Sequence, residues 1–260
     1  MITKIKPLIS IVLLASSLTV HASSAYLRSS VGAPWGASNN EASMDGVFGT
    51  GNWSDLRYET VNTANLFSAN NNFIYMEGGD SNADELETFI TNNKSTMETW
   101  VSNGGRLLLN SAPNEGNGMD FGFGVSLNYS DLSSSVVAVD ASHEIFNGPF
   151  GSTGAAFTGS YFAHATVSGQ NLTDLIVDSS HGRSVLSEMI FGNGLALFGG
   201  MTTLNFQNPN SFELRQNIIN YAANSQVSAV PVPAAVWLFG SGLAGLIGAS
   251  RKKKQALAAA

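Results

Sequence analysis

Cysteine is absent from this chain of 260 residues, and basic side chains are scarce in all but its last ten positions. The lack of cysteine excludes disulfide bonds, thiolate metal sites, a cysteine nucleophile and a lipoprotein anchor. Residues 23–225 carry six basic and 19 acidic side chains, a formal charge of −13. A body this acidic is not suited to bind nucleic acid. The sequence also holds no pattern that indicates a cofactor or a metal site.

The first 22 residues have the layout of a secretory signal peptide. Two lysines precede an apolar run from about residue 7 to 20, and Val20 and Ala22 stand where a signal peptidase reads its site. A retained anchor or a buried helix is disfavoured, because the run is shorter than the roughly 20 apolar residues that cross a bilayer. We therefore expect export through the Sec translocon, cleavage by signal peptidase and a mature chain that begins near Ser23 or Tyr26.

The last 35 residues, 226–260, contain a second membrane-directed segment. Residues 230–249 carry no charge, and their length just suffices to cross a bilayer as a helix. The basic cluster Arg251, Lys252, Lys253 and Lys254 follows, and the positive-inside rule keeps such a cluster in the cytoplasm and the body outside. Four glycines weaken the segment as a plain anchor, since glycine is a poor helix former.

The stretch VPVPAAVWLFGSGLAGLIG and the basic cluster behind it resemble the PEP-CTERM sorting signal of Gram-negative bacteria, which the membrane protease exosortase reads and processes. Val230, Pro231, Val232 and Pro233 stand at the sorting motif, where Val232 replaces the glutamate of the family. The resemblance implies a body held transiently at the inner membrane and then released to the cell surface or the extracellular space. Exosortase and exopolysaccharide are the implied partners. A plain tail anchor is the alternative.

The body, residues 23–225, is predicted to be one α/β domain with a three-layer, mostly parallel sheet flanked by helices, between a signal helix and a C-terminal transmembrane helix. Residues 26–55 suggest a first strand and long loops. Strands are expected at 56–61, 73–79 and 106–110, with one broken helix or two short ones before the last. Two possible capping boxes, Asn82 with Glu85 and Ser95 with Glu98, indicate the helix starts. A strand, helix, strand order implies a parallel pair.

Further along, residues 184–200 predict a hairpin that turns at Asn193 and Gly194, and a helix capped by Asn210 and Glu213 closes the body. The order of elements from residue 73 onward resembles the glutamine-amidotransferase-like α/β domains, including the ThuA-like branch. This resemblance spans about 150 residues, the size of one ordinary domain. It rests on the pattern of elements, and the nucleophilic thiol of the amidotransferases is missing here.

Two loops follow buried strands, at the place where open α/β sheets bind ligands. In the first, Glu77, Asp80, Asp84 and Glu85 could gather a hard cation such as calcium. Their spacing does not match a calcium loop, and acids at a helix start are favoured by the helix dipole. We interpret them as residues of the helix start and not as metal ligands.

In the second loop, Ser111 stands near where an amidotransferase-like fold could present a nucleophile. A serine hydrolase would need His143, His164 or His181 within reach and a third group to orient it. No G-x-S-x-G surrounds Ser111, and the adjacent residues His143 and Glu144 point to opposite faces of an extended chain. No residue is therefore assigned a catalytic role.

Three aromatic residues, Trp35, Trp53 and Tyr58, lie in or near predicted loops. Such rings can stack on sugars or anchor a partner, and they can also cap the core of their own domain. Trp35 and Trp53 are the candidate ligand contacts. We expect an exported, exosortase-processed surface or matrix protein without enzymatic activity. The alternatives are a polysaccharide-binding module and a serine-dependent hydrolase that uses Ser111.

Overall fold

The computed structural model describes residues 23–80, 82–114, 118–208 and 211–226. A ten-stranded sheet forms their centre, and a two-stranded ribbon stands apart from it. The strands are β1 (Ser23–Arg28), β2 (Trp53–Arg57), β3 (Asn71–Asp80), β4 (Arg106–Pro113), β5 (Met119–Gly122), β6 (Val125–Ala138), β7 (Asn147–Gly148), β8 (Gly151–Ser152), β9 (Ala156–Gly169), β10 (Thr173–Asp178), β11 (Ser184–Phe191) and β12 (Gly194–Gly199). The helices are α1 (Asn39–Phe48), α2 (Thr63–Leu66), α3 (Ala83–Ser102) and α4 (Ser211–Asn224).

The sheet is mixed, with strand order β2-β1-β3-β4-β12-β11-β10-β6-β5, and β9 pairs with β6. The first five strands in this order are parallel, and the others pair antiparallel. The predicted α/β architecture is confirmed, but the prediction of a mostly parallel sheet is wrong. Short connections such as the one from β11 to β12 permit only antiparallel pairing.

Two hydrophobic clusters cover the two faces of the sheet. One is formed with α2 and α3 and includes Leu66, Leu86 and Trp100. The other is formed with α1 and α4 and includes Met44 and Ile218. Because both faces are covered, the central strands contain continuous apolar runs, as β3 shows with its fully buried residues 73 to 76.

The unit β3-α3-β4 forms as predicted, but α3 is one continuous helix of 20 residues. Ser95 lies in its middle, where its carbonyl accepts a bond from the Thr99 hydroxyl at 2.7 Å, so no second helix starts there. Asn82 is the N-cap residue, yet its side chain makes no capping bond. It accepts from the Gly79 amide (3.2 Å) and donates to the Gly32 carbonyl (3.3 Å) instead.

Three other predictions differ from the structure. The hairpin between β11 and β12 turns at Gly192 and Asn193, because Phe191 pairs with Gly194 and Gly192 takes the positive φ of 62° that this turn needs. Strand β2 ends at Arg57 and does not continue to residue 61. Helix α1 lies in a segment that we expected to be loop. The expectation was wrong because the segment is polar in composition, and Met44 is its only fully buried apolar side chain.

Among the residues that the structure describes, no helix is both long and apolar enough to span a membrane. The predicted signal peptide (1–22), the sorting motif (230–233) and the basic cluster (251–254) lie outside the described residues. The proposed cap residue Asn210 lies outside them as well.

Candidate functional site

The five parallel strands β2, β1, β3, β4 and β12 end at one edge of the sheet, which we call the carboxyl edge. Ligands of open α/β sheets bind at such an edge. Strand β9 reaches across it and is fastened to the segment after β12. The His164 amide donates to the Gly200 carbonyl, and the Thr202 amide donates to the Phe162 carbonyl, both at 3.0 Å. Residues distant in sequence therefore meet here.

Four ring side chains form an aromatic platform at the carboxyl edge: Trp35, Tyr161, His164 and Phe206. The Trp35 indole meets the His164 imidazole edge-on at 4.6 Å and the Phe206 ring at 5.0 Å. The Tyr161 ring meets the His164 imidazole edge-on at 5.1 Å. Tyr161 is 44% exposed and His164 only 8%, while Trp35 and Phe206 are half-buried. The platform thus offers aromatic surface around a nearly buried imidazole.

Trp35 is fixed by a hydrogen bond and by a close contact. Its indole N–H donates to the Ala112 carbonyl at 3.0 Å. A Cβ at position 79 would stand 2.9 Å from the indole, so only glycine fits beneath the ring. Gly79, near the end of β3, therefore has a structural reason that the sequence pattern alone did not reveal.

Two non-glycine residues at this edge have a strained backbone conformation. Trp35 (φ 54°) and Asp80 (φ 51°) both adopt the left-handed region, which costs a non-glycine residue energy. Asp80 is also close enough to His164 for its charge to act on the imidazole. Strained residues that persist in a fold concentrate at binding and catalytic sites, so the pair marks the platform as a functional candidate.

Burial favours the neutral form of the His164 imidazole, and one of its ring nitrogens has no hydrogen-bond partner among the described residues. Burial lowers its pKa below the usual 6.5, although a hydrogen bond with the Pro113 backbone and the charge of Asp80 act in the opposite direction. Its Nδ1 atom is buried and has no hydrogen-bond partner among the described residues. A neutral imidazole of this kind can accept a hydrogen bond, or a proton, from a hydroxyl group placed against it.

Ser111 lies within β4, paired with Gly78 of β3, and is fully buried. Its hydroxyl has no hydrogen-bond partner in the described part of the chain, so no serine–histidine pair is assembled. His143 packs on Tyr221, and His181 is an exposed partner of Asp178. Of the three histidines considered from the sequence, only His164 joins the ring contacts with Trp35 and Tyr161, while His181 lies in the turn between β10 and β11.

Beneath the edge lies a buried polar network around Glu77. The Tyr75 hydroxyl donates to the Glu77 carboxylate, Asn110 donates to it at 3.0 Å, and the Arg215 guanidinium lies 3.9 Å away. Burial raises the pKa of Glu77 to about 7, although the charge of Arg215 opposes this. Glu77 is therefore a core residue and belongs neither to the helix start nor to a calcium loop.

Arg215 is the functional-site neighbour that sequence reasoning missed. It is fully buried and donates to the Tyr75 hydroxyl (2.9 Å) and to the Thr202 carbonyl (2.7 Å). Arg215 stands next to Leu214 and three residues before Ile218, on the buried side of α4. This helical spacing is the sequence feature from which its burial could have been predicted.

Trp53 and Tyr58 occupy other places. Trp53 begins β2, so it lies at the opposite end of the strands, where its indole donates to Asp45 at 2.8 Å and packs on Tyr26. Tyr58 is buried, and its hydroxyl donates to the Glu77 carbonyl at 2.9 Å. Trp53 thus does not share the platform with Trp35. Within the described ranges, no three His, Asp or Glu side chains gather as a metal ion would require.

No protein-family model and no curated protein matches this chain. Solved structures do resemble it. A beta-galactosidase from Bacillus circulans sp. alkalophilus is 12% identical with a TM-score of 0.45, and 76% of this chain aligns with 30% of that one. An exo-beta-1,4-mannosidase from Opitutaceae bacterium strain TAV5 is 14% identical with a TM-score of 0.45, and 80% of this chain aligns with 37% of that one. A cytoplasmic protein from Salmonella typhimurium is 14% identical with a TM-score of 0.48, and 78% of this chain covers all of it.

The expectation of a protein without enzymatic activity is corrected by this comparison, since carbohydrate-active enzymes stand among the similar structures. The chain spans about a third of the length of the two glycosidases. At these identities and TM-scores, the likeness assigns no activity to this chain.

Proposed function

We propose that the body recognises a saccharide on the aromatic platform. The observation that carries this proposal is the arrangement of Trp35, Tyr161 and Phe206 around the unpartnered nitrogen of His164. A sugar ring has apolar C–H surface, which stacks on aromatic rings, and hydroxyl groups, which need polar partners. The platform supplies both kinds of contact within one small area.

The polar partners are suited to hydroxyl groups. The buried, unpartnered Nδ1 of His164 can accept one hydrogen bond from a hydroxyl group that reaches it, and Asp80, half-buried nearby, offers carboxylate oxygens. Pockets that bind small ligands combine apolar and aromatic walls with a few fixed polar groups of this kind. Because Trp35 is held by Ala112 and Gly79, little ordering is needed when a ligand binds.

We further propose that the chain is exported and that exosortase processes its tail. Residues 1–22 support export, and Val230–Pro233 with the basic cluster at 251–254 support a sorting signal. The saccharide-recognising body would then act at the cell surface or in the extracellular matrix, where exopolysaccharide is a natural ligand class.

Substitution of Tyr161 by alanine tests the platform, because this ring is 44% exposed and its loss should leave the fold intact. We expect tetrasaccharides of glucose, N-acetylglucosamine and glucosamine to include at least one ligand in calorimetry. Tyr161→Ala should weaken its binding about 3- to 10-fold, the equivalent of the roughly 0.5–1.5 kcal/mol of an aromatic contact. Ile190→Ala, equally exposed but at the opposite end of the strands, is the control. Unchanged affinity in Tyr161→Ala, or no binding by the wild type, would overturn the proposal.

A further inference from the structure

Residues 200–207 follow β12 and carry one side of the platform, and we call them the strap. Phe206 belongs to the strap, which runs antiparallel to the part of β9 that carries Tyr161 and His164. Besides the backbone bonds described above, the Thr202 hydroxyl donates to the Tyr161 carbonyl at 2.6 Å. The strap therefore sets where three of the four platform rings stand relative to one another.

Met201 is joined to the sheet through a side chain. The flanking residues Gly200 and Thr202 bond to β9, so the amide and carbonyl of Met201 itself point the other way, towards β4. There the Asn110 side chain bonds to both groups. Its Oδ1 accepts from the Met201 amide at 3.0 Å, and its Nδ2 donates to the Met201 carbonyl at 2.8 Å. A Cβ at position 199 would lie 2.6 Å from this Oδ1, so the glycine there makes room for the Asn110 amide.

The Glu77 carboxylate determines which way the Asn110 amide points. The Nδ2 atom of Asn110 also donates to Oε1 of Glu77 at 3.0 Å. If the amide were reversed, its oxygen would face both the carboxylate and the Met201 carbonyl, and none of these three groups can donate a hydrogen bond. One orientation therefore satisfies every partner, and it is the orientation that holds Met201.

The groups that face the Glu77 carboxylate are hydrogen-bond donors. They are the Tyr75 hydroxyl on β3, the Asn110 amide on β4, the Asn40 amide on α1 and the Arg215 guanidinium on α4. Two further ionisable neighbours, Tyr26 and Tyr58, are neutral because burial raises their pKa. A carboxylate can accept from these donors, whereas a protonated carboxyl group brings a donor of its own against one of them. The network is therefore matched to the ionised form of Glu77.

We infer that Glu77 and Asn110 are positioning residues of the platform: ionised Glu77 holds the strap, through Asn110, in the geometry that binds the saccharide, and protonation of Glu77 releases it. The inference rests on the proposed function, because it concerns the site at which the saccharide binds. Both residues are fully buried, so they act through the strap and not by contact with the ligand. Burial raises the pKa of Glu77 to about 7, whereas the pKa of His164 lies below 6.5, so the two groups titrate separately.

NMR of the protein with isotope-labelled methionine tests the strap without a ligand. We expect the Met201 amide signal, identified by its loss in Met201→Leu, to shift with a midpoint at a pH of about 7, because this amide bonds to Asn110. The shift should vanish in Glu77→Gln. In Tyr75→Phe, which removes a donor to the carboxylate, the midpoint should move to higher pH.

Glu188→Gln is the matched control. Glu188 likewise accepts from a tyrosine hydroxyl, that of Tyr221 at 2.7 Å, but it pairs with Leu197 within the sheet, before the strap begins. The Met201 signal of this variant should titrate as in the wild type.

Calorimetry with the tetramers of glucose and N-acetylglucosamine, which carry no titrating group, tests the consequence for binding. The affinity of the wild type should fall about threefold from about pH 8.5 to about pH 6.5, where about three-quarters of Glu77 is protonated. Glu77→Gln should bind about threefold more weakly than the wild type at the higher pH, because it lacks the charge that orders the strap, and its affinity should not change over this range.

The outcomes separate the two proposals. A Met201 signal that does not shift in the wild type, or that still shifts in Glu77→Gln, would overturn the inference, as would a pH-independent affinity for a tetramer that the wild type binds. Saccharide recognition stands in each of these cases. If Glu77→Gln does not fold, an unchanged midpoint in Tyr75→Phe overturns the assignment to Glu77. A Met201 signal that titrates as expected in a protein that binds no tetramer would instead overturn saccharide recognition and leave the link between Glu77 and the strap in place.

Discussion

Glu77 and His164 are two ionisable residues near the carboxyl edge whose pKa values burial shifts in opposite directions. The carboxyl group of Glu77 is held neutral to higher pH, and the imidazole of His164 is held neutral to lower pH. Both effects have the same cause, since burial disfavours the charged form of either group. Neither could be read from the sequence, where Glu77 looks like one of several loop acids.

For Glu77 the consequence is a defined pH dependence of stability. Its pKa rises from 4.5 to about 7 on folding, so between these values the folded state binds the proton more tightly than the unfolded state. The free energy of unfolding should therefore fall as pH rises from about 4.5 to 7, by on the order of 3 kcal/mol from this group. Urea unfolding across this range should show a flatter or opposite slope in Glu77→Gln.

The comparison with the variant is needed because His164 acts with the opposite sign. Its pKa is lowered on folding, so its contribution to stability is lost as pH falls below about 6.5. The difference in slope between wild type and Glu77→Gln isolates the carboxyl group. Identical slopes in the two proteins would contradict the assignment.

At the scale of elements, the sequence pattern predicts periodic and buried segments well. The stripe Leu86, Phe89, Ile90, Met97 and Trp100 indicates α3, and the helix runs unbroken through residues 91–96 although none of them is buried. The capping boxes suggested a break because they are defined by residue type, whereas packing against β3 and β5 decides the outcome. Helix α1 was missed because it has almost no apolar stripe.

The hairpin between β11 and β12 supports an element-scale prediction. Gly192 has a φ of +62°, and a Cβ there would lie 2.5 Å from the Ser102 carbonyl oxygen. Gly182 has a similar φ of +68° but open space around it. Gly182→Ala should cost about 1–2 kcal/mol from backbone strain. Gly192→Ala should cost about 1–3 kcal/mol more from the clash, measured as the free energy of unfolding in urea. Equal losses would show that Ser102 moves away freely.

At the scale of the whole molecule, the prediction concerns the processing of the C-terminal tail and the release of the body from the membrane. If Val230–Pro233 is a processing signal, mature protein found outside the cell should lack the residues beyond about Pro233. Mass spectrometry of the C-terminal peptide should find an intact tail, in the inner membrane, only in cells without exosortase. Changing Pro231 and Pro233 to alanine should block processing but leave insertion unaffected. An intact tail in both strains would contradict the sorting hypothesis and favour a plain anchor.

The sequence by itself determined the features that depend on composition and on neighbouring residues. These are the absence of thiol chemistry, the acidity of the body, the β3-α3-β4 unit and the α/β class. Such features follow from periodicity and residue type within short windows, so they need no knowledge of the fold. The export and sorting predictions also rest on short windows, and they remain predictions.

Only the tertiary structure decided the candidate site. The platform joins residues 35, 161, 164 and 206, which meet because β9 crosses the ends of β4 and β12 and because Gly79 leaves room for Trp35. The same packing separates Trp53 from Trp35, buries Ser111, and places Glu59 beside Asp84 and Glu85 in the lining of one cavity. These are contacts between distant segments, and strand register and crossing set them, which no local pattern encodes.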